Sequence, residues 1–209
     1  MAADLTLYTN PMSRGRIARW MLEEVGVPYE TVVLDYGTTM KNDAYRAINP
    51  MMKVPAIVHQ GTVVTEVAAI CAYLADAFPQ AGLAPGPAER GDYYRWLFFG
   101  AGPLEAAITN RSMGVEPDAR QQQMAGYGTL DLTAGTLESM LKDRDYIAGN
   151  RFSAADVYVG SSLMWYTGFG LLPKSAPFMA YIARIADRPA HRRASEIDDA
   201  LMPAKADAG

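Results

Sequence analysis

The sequence predicts two unlike domains, an α/β domain over residues 1–78 and an all-α domain over 89–209, joined by a linker at 79–88. Three observations predict this. Strand and helix signals alternate over the first 80 residues in the order β-α-β-α-β-β-α, the pattern of a mixed sheet covered by helices. Phe78 to Pro87 then holds three prolines and two glycines in ten residues, which defeats helix and strand alike. Beyond that stretch the apolar spacing is helical throughout.

Leu5-Thr6-Leu7-Tyr8 is a short alternating run and reads as the first strand. Asn10-Pro11-Met12-Ser13 opens a helix carrying Ile17, Trp20, Met21 and Val25 at helical spacing, and Gly26-Val27-Pro28 stops it. Tyr29 to Leu34 reads as the second strand, and a short helix covers Lys41 to Ile48. Ala56–Val58 and Thr62–Val64 flank His59-Gln60-Gly61 as a hairpin. Glu66 opens the next helix, with Val67, Ile70, Cys71 and Leu74 on one face, so Cys71 reads as a small core residue. His59 and His191 read as solvated. Past the linker, one long helix from Ala88 to about Met113 is expected to bend near Gly100, Gly102 and Pro103. A second helix covers Pro117 to Leu141. Ser153-Ala154-Ala155-Asp156, a capping box with Asp in place of Glu, opens a third that runs to about Tyr166. Two shorter helices follow, one over 176–186 and one after Pro189. The closing residues Pro203 to Gly209, small and polar, are expected to fray.

Composition excludes several classes of function. Net charge is −4, with six basic against eight acidic residues over 1–80 and 13 against 15 over the rest. Neither half has a basic surplus to draw nucleic acid or an anionic membrane. No apolar run reaches the length of a membrane span, and no basic and apolar leader is expected. One cysteine excludes an internal disulfide and fits a reducing cytoplasm. Two histidines and one cysteine, far apart, give no metal-ligand spacing, so no metal is expected.

Asn49-Pro50-Met51-Met52-Lys53-Val54-Pro55, followed at once by the apolar Ala56-Ile57-Val58, is the most informative segment. Pro55 sits where a strand should begin and has no N–H to give the ladder. It reads either as a cis proline of a tight turn or as an ordinary trans turn. In the first reading the backbone N–H and C=O of Val54 are free to pair with a peptide-like ligand, as an added strand would.

Four stretches carry a resemblance to a known family. Tyr8-Thr9-Asn10-Pro11-Met12-Ser13-Arg14-Gly15-Arg16, with Trp20-Met21-Leu22-Glu23-Glu24 after it, is similar to the glutathione transferases. So are Asn49 to Pro55, Thr65-Glu66-Val67-Ala68-Ala69-Ile70, and Tyr146 to Asp156, in the family's order and over most of the chain. The resemblance is to a bacterial-type, cytosolic member with a Ser/Asn loop. It implies an N-terminal thioredoxin-like domain, a C-terminal helical bundle domain, glutathione as cosubstrate, a homodimer, and a role in detoxification. The implied reaction is attack of a glutathione thiolate on a small hydrophobic electrophile. The alternatives are glutathione-dependent disulfide or peroxide reduction, and a binding protein that kept the fold and lost activity.

The resemblance also implies roles residue by residue. Glutathione has two carboxylates, an α-amine and a thiol that is largely protonated at neutral pH, so the site must hold the peptide and favour its thiolate. Ser13, Asn10 and Tyr8 are the candidate donors to the sulfur. Ser13 is the favoured hydroxyl, at a helix start where N–H groups also face outward, although a plain cap serine would look the same. Asn10 directly precedes the loop proline, where many serine- and cysteine-type members keep the active residue. Tyr8 ends the first strand, near the hydroxyl of the tyrosine-type classes, and reads equally as a half-buried strand residue. Arg14 and Arg16 either reach a glutathione carboxylate or face solvent. Val54 pairs its backbone with the cysteinyl unit, Pro55 shapes that turn, and Lys53 reaches the glycyl carboxylate. Glu66 accepts the γ-glutamyl amine, and the helix starting there offers N–H groups to the neighbouring carboxylate. Two departures stand out: Val67 where the family usually has Ser, and Met52 where glycine is common. Phe98, Phe99, Met113, Tyr166 and Phe169 are the candidates to line the electrophile pocket.

Overall fold

A computed structural model describes residues 4–202 and divides into two compact units. The expected fraying at Pro203 to Gly209 lies outside the described residues. The first unit comprises the chain up to Ala77 and resumes at Arg188, while the second runs from Phe78 to Asp187.

The first unit is built on four strands, β1 (Leu5–Thr9), β2 (Glu30–Val33), β3 (Ala56–His59) and β4 (Thr62–Thr65), in the order β2-β1-β3-β4. β1 runs parallel to β2 and antiparallel to β3, and β3 antiparallel to β4. Helix α1 (Gly15–Val25) connects β1 to β2 and buries Ile17, Trp20, Met21 and Val25, the stripe that the spacing predicts. It closes where the N–H of Gly26 returns to the Leu22 carbonyl. The short α2 (Asp43–Ile48) starts at Asn42, whose side chain accepts the Tyr45 N–H. Helix α3 (Val67–Ala77) buries Ile70, Cys71 and Leu74 completely. Cys71 is therefore a core residue, and burial pushes its thiol far above the ordinary range. His59 is half-buried rather than solvated, its Nδ1 2.9 Å from the Tyr73 hydroxyl.

The last helix, α10 (Pro189–Ala200), belongs to this first unit, whereas the spacing alone places it with the all-α domain. Four ion pairs, three from the helix and one from Arg188 at its N-cap, bind it to α1 and explain the difference. Arg188 grips Glu24 through two bonds of 2.6 and 2.7 Å, and Arg193 meets Glu23 at 3.2 Å. Arg16 meets Asp199 at 2.7 Å, and Arg19 meets Asp198 at 2.8 Å with both side chains buried. His191 packs edge-on against Trp20, ring centroids 4.6 Å apart, so it too is half-buried. A charged pattern on one helix cannot reveal its complement 170 or so residues earlier; only the fold pairs them.

The second unit is helical. The expected long helix is three consecutive pieces: α4 (Arg90–Phe99), a wide π-helical turn over Gly100–Leu104, and α5 (Glu105–Ser112). Pro103 lies in that turn, where its missing N–H is tolerated. The second expected helix is interrupted. α6 (Ala119–Met124) and α7 (Leu130–Lys142) are separated at Gly128, which takes φ 64°, and Thr129 caps α7 by accepting the Leu132 N–H at 3.0 Å. α8 (Ala154–Gly168) is buried along most of its length and α9 (Ala176–Ala186) packs on it. Its capping box is present. Asp156, fully buried, accepts from the N–H groups of Ser153 and Ile147 and from the Ser153 and Tyr181 hydroxyls, all at 2.8 to 3.0 Å.

Candidate active site

The register of the sheet gathers the candidate residues. Tyr8 pairs with Ala56, and Ala56 pairs with Thr65. The segment leaving β1, the segment entering β3 and the segment leaving β4 therefore open at one end of the sheet. These segments hold Asn10–Arg14, Lys53–Pro55 and Glu66–Val67.

The first segment is pinned by its own polar groups. Asn10 is 4% exposed and uses both ends of its amide, donating to the Leu34 carbonyl at 2.8 Å and accepting the Met12 N–H at 2.9 Å. Its carbonyl accepts both the Ser13 N–H at 3.0 Å and the Ser13 hydroxyl at 2.7 Å. Ser13 Oγ in turn accepts the Gly15 N–H at 2.9 Å, a turn bond just ahead of α1, whose N-cap position is held by Arg14. Tyr8 packs on Tyr45 with centroids 5.7 Å apart, and its hydroxyl makes no hydrogen bond among the described residues. Arg16 does not stand free for a ligand carboxylate, because it is bound to the Pro11 carbonyl and to Asp199. Arg14 is exposed.

In the second segment the Val54–Pro55 peptide is cis, the first of the two alternatives. Two side chains that sequence reasoning missed hold the preceding turn. Asn49, buried, donates to the Lys53 carbonyl at 2.8 Å and accepts the Met51 N–H at 3.0 Å, and the Tyr45 hydroxyl donates to the same carbonyl at 2.6 Å. The Asn-Pro start of the segment was the available signal for such an Asx turn. Burial pushes the Tyr45 phenol up to about 12. With Lys53 O doubly held, the next peptide is left open, and the Val54 N–H and C=O make no hydrogen bond among the described residues. The Val54 side chain packs on Leu34, Met40 and Tyr45. The Lys53 ammonium is exposed and makes no ion pair among the described residues. Met52 takes φ 51°, a left-handed conformation that glycine adopts without strain.

At the third segment Glu66 takes φ 62°, unusual for a residue with a side chain, and its carbonyl accepts the Ile70 N–H at 2.8 Å. This geometry exposes the Glu66 carboxylate beside the start of α3. The first-turn N–H groups of α3 have no intrahelical acceptor, and no acidic side chain lies in that turn to occupy the positive end of the dipole. Val67, half-buried, brings no hydroxyl. The arrangement offers an open main-chain edge, a helix start fit for a carboxylate, and a free carboxylate for an amine. Among the described residues no group of three or more His, Cys, Asp or Glu is placed to hold a metal.

The candidate electrophile-pocket residues all lie in the second unit and differ in burial. Phe98, Met113 and Phe169 are exposed. Phe99 is half-buried against Trp96, centroids 5.2 Å apart. Tyr166 is buried and its hydroxyl donates to Glu105 at 2.9 Å, so it serves the helical core.

Comparison with known proteins agrees with this geometry. The family pattern described as glutathione S-transferase, N-terminal domain, matches residues 12–77, and that described as glutathione S-transferase, C-terminal domain, matches 105–189. Glutathione S-transferase GstA of Escherichia coli O157:H7 is 30% identical over 203 residues, covering 94% of this chain and 97% of that protein. The crystal structure of a glutathione transferase from Methylococcus capsulatus superposes with a TM-score of 0.78 at 28% identity, over 94% of this chain and 99% of its own. A sphingomonad glutathione S-transferase complexed with glutathione superposes with a TM-score of 0.75 at 29% identity, over 93% and 98% of the two chains. The four-stranded unit is the thioredoxin-like domain and the second unit the helical domain of that architecture, and the chain belongs to the glutathione S-transferase family.

Proposed function

We propose that the chain binds glutathione along Val54 and transfers it, as a thiolate, to small hydrophobic electrophiles. The observation that carries this reading is the open Val54 peptide at the sheet end where the α1 and α3 starts also emerge. The cysteinyl unit pairs with the Val54 main chain, the γ-glutamyl amine meets Glu66, its carboxylate meets the α3 start, and Lys53 takes the glycyl carboxylate. Pro55 shapes the turn, and Val67 contributes its backbone N–H alone.

Ser13 is the proposed donor to the sulfur. The Asn10 carbonyl accepts from both the N–H and the hydroxyl of Ser13. The hydroxyl can therefore turn to a thiolate and leave that carbonyl satisfied. Asn10 has no such freedom, since redirecting its amide would strand the Leu34 carbonyl or the Met12 N–H in a buried place. Tyr8 is free to donate and stands second. Each unit of lowered thiol pKa corresponds to about 1.4 kcal/mol of preference for the thiolate. Positioning and thiolate stabilisation supply the rate, without a covalent enzyme intermediate. Cys71, fully buried, takes no part.

The electrophile is proposed to meet apolar side chains of the helical unit, the exposed Phe98, Met113 and Phe169 and the half-buried Phe99. A homodimer, a cytoplasmic location and a detoxifying role complete the reading. No helix among the described residues is long and apolar enough to cross a membrane. The test has two arms. The chain is expected to be retained on immobilised glutathione and to conjugate an aryl halide faster than it reduces a small disulfide. Retention without turnover would leave a binding protein, and the reverse preference would make it a reductase. Within the first outcome, Ser13→Ala should slow conjugation more than Tyr8→Phe; a silent Ser13→Ala with an inactive Asn10→Ala overturns the donor assignment.

A further inference from the structure

We infer that Arg16 is a positioning residue for the Asn10–Ser13 loop, and that the chain's last helix, through Asp199, holds Arg16 to that task. The inference rests on the reading of this loop as the thiolate site. Its basis is one side chain with two anchors. Arg16 Nε donates to the Pro11 carbonyl at 2.6 Å, and Arg16 Nη2 meets Asp199 Oδ1 at 2.7 Å.

Several other polar groups of the loop are tied within unit one as well: Asn10 to Leu34 and Met12, Ser13 to Asn10 and Gly15, and the Tyr36 hydroxyl to the Met12 carbonyl at 3.4 Å. Pro11 has no N–H, so its carbonyl is the one main-chain handle the proline offers. Arg16 takes that handle from within the first turn of α1, where its backbone is already fixed by the bond from its N–H to the Ser13 carbonyl at 3.3 Å. The guanidinium plane presents its donors in a rigid fork, so fixing one edge on Asp199 fixes the direction of the other. Asp199 neighbours Asp198 on α10, and Asp198 is locked to Arg19 in the buried pair. The Asp199 side chain is itself 68% exposed, but its place on α10 is set by the buried Asp198 beside it. A displacement of about 1 Å at a reacting group can lower a rate roughly a hundredfold, so a small release of Pro11 matters.

Three substitutions separate positioning from charge and from simple attachment of α10. Arg16→Met removes both anchors. Arg16→Lys keeps the charge but not the fork. Arg193→Met cuts a different α1–α10 ion pair, Glu23–Arg193, which does not touch the loop. The readouts are the pH profile of glutathione thiolate absorbance in the binary complex and the split between kcat and KM. Arg16→Met is expected to raise the apparent thiol pKa by about half a unit to one unit and to lower kcat roughly tenfold at neutral pH, with KM for glutathione within about twofold. Arg16→Lys should behave like Arg16→Met, and Asp199→Asn should shift the profile in the same direction by less. Arg193→Met should leave pKa and kcat within about twofold, because among the described residues Arg193 bonds to Glu23 alone, through its carboxylate and its carbonyl, and neither bond reaches the loop. A wild-type thiolate that Arg16→Met leaves unmoved overturns the inference, as does full rescue by Arg16→Lys or an equal effect of Arg193→Met. A wild-type complex with no thiolate at any pH would instead remove the glutathione reading, and this inference with it.

Discussion

Arg19 and Asp198 meet at 2.8 Å with 1% and 0% of their side chains exposed, one from the first helix of the chain and one from the last. Arg19 also donates to the Tyr29 hydroxyl at 3.1 Å and the Thr31 hydroxyl at 3.2 Å. A buried pair of this kind is costly to desolvate, but far more costly to break singly. Asp198→Leu or Arg19→Met should each destabilise the protein by about 3–5 kcal/mol, because the remaining charge stays buried and unpaired. The double variant Arg19→Met/Asp198→Leu should recover much of that loss. Urea unfolding of the three variants checks this, and strictly additive single effects would refute it.

That pair also marks the limit of what the residues disclose by themselves. The strand and helix order of the first 77 residues is legible because each element is a local pattern. Examples are the alternation Leu5 to Tyr8, the stripe Ile17–Trp20–Met21–Val25, and the glycine stop at Gly26. The turn before Pro55 and the helix start at Glu66 are legible for the same reason, since a proline and a cap act within a few residues. Three things were not local. The docking of α10 depends on Arg16, Arg19, Glu23 and Glu24 finding partners at the far end of the chain. The commitment of Asn10 to Leu34 depends on β2 lying beside β1. The burial of Tyr166 depends on Glu105 waiting for its hydroxyl. Periodicity reports a face, and only the fold says what that face meets.

Gly15 is required by Thr9. A Cβ at Gly15 would lie 1.9 Å from Thr9 Oγ1 and 2.9 Å from Ser13 Oγ. Thr9 is fully buried at the end of β1 and its hydroxyl has no partner among the described residues, so it cannot swing out to solvent. Gly15→Ala should cost about 1–3 kcal/mol as an overpacked site and should lower conjugation through the displaced Ser13. Thr9→Ala in the same chain should restore part of both. Thermal melts and steady-state rates on the single and double variants decide; no rescue would mean that the clash is relieved elsewhere.

Tyr45 predicts how stability responds to alkali. Its phenol titrates near 10.0 when unfolded and is pushed up to about 12 in the fold, chiefly by burial. Between those values the native chain keeps a proton that the unfolded chain has released. The stability this group contributes is therefore complete below pH 10.0 and is lost as pH rises towards 12. Tyr29, raised to about 12 by burial and by its bond to Glu23, acts in the same direction. Tyr45→Phe should cost about 1 kcal/mol at neutral pH, from the lost bond to Lys53 O. Above pH 10 the gap between variant and wild type should close, because phenylalanine has no proton to lose. Urea midpoints measured across pH 8 to 11 test the sign, and a widening gap would contradict it.

Val67 predicts a gain of function from a single hydroxyl. It is the first residue of α3, directly after the left-handed Glu66, and the helix start beside it has open N–H groups and no acidic side chain in its first turn. A serine there would add a donor to the same carboxylate that the helix start is proposed to hold. A hydrogen bond to a charged group contributes about 1.5–3 kcal/mol, of which partial exposure leaves the lower part. Val67→Ser should therefore lower KM for glutathione roughly tenfold. The kcat should change little, since the γ-glutamyl end makes the same contact before and during sulfur transfer. Glu66→Ala should act oppositely on KM, by losing the partner of the amine. Titration of binding by calorimetry, alongside the kinetic KM, separates the amine contact from the carboxylate contact of the γ-glutamyl unit. If Val67→Ser leaves affinity unchanged while Glu66→Ala weakens it, the amine is held at Glu66 but the carboxylate beside it does not lie at the α3 start, and that half of the assignment falls.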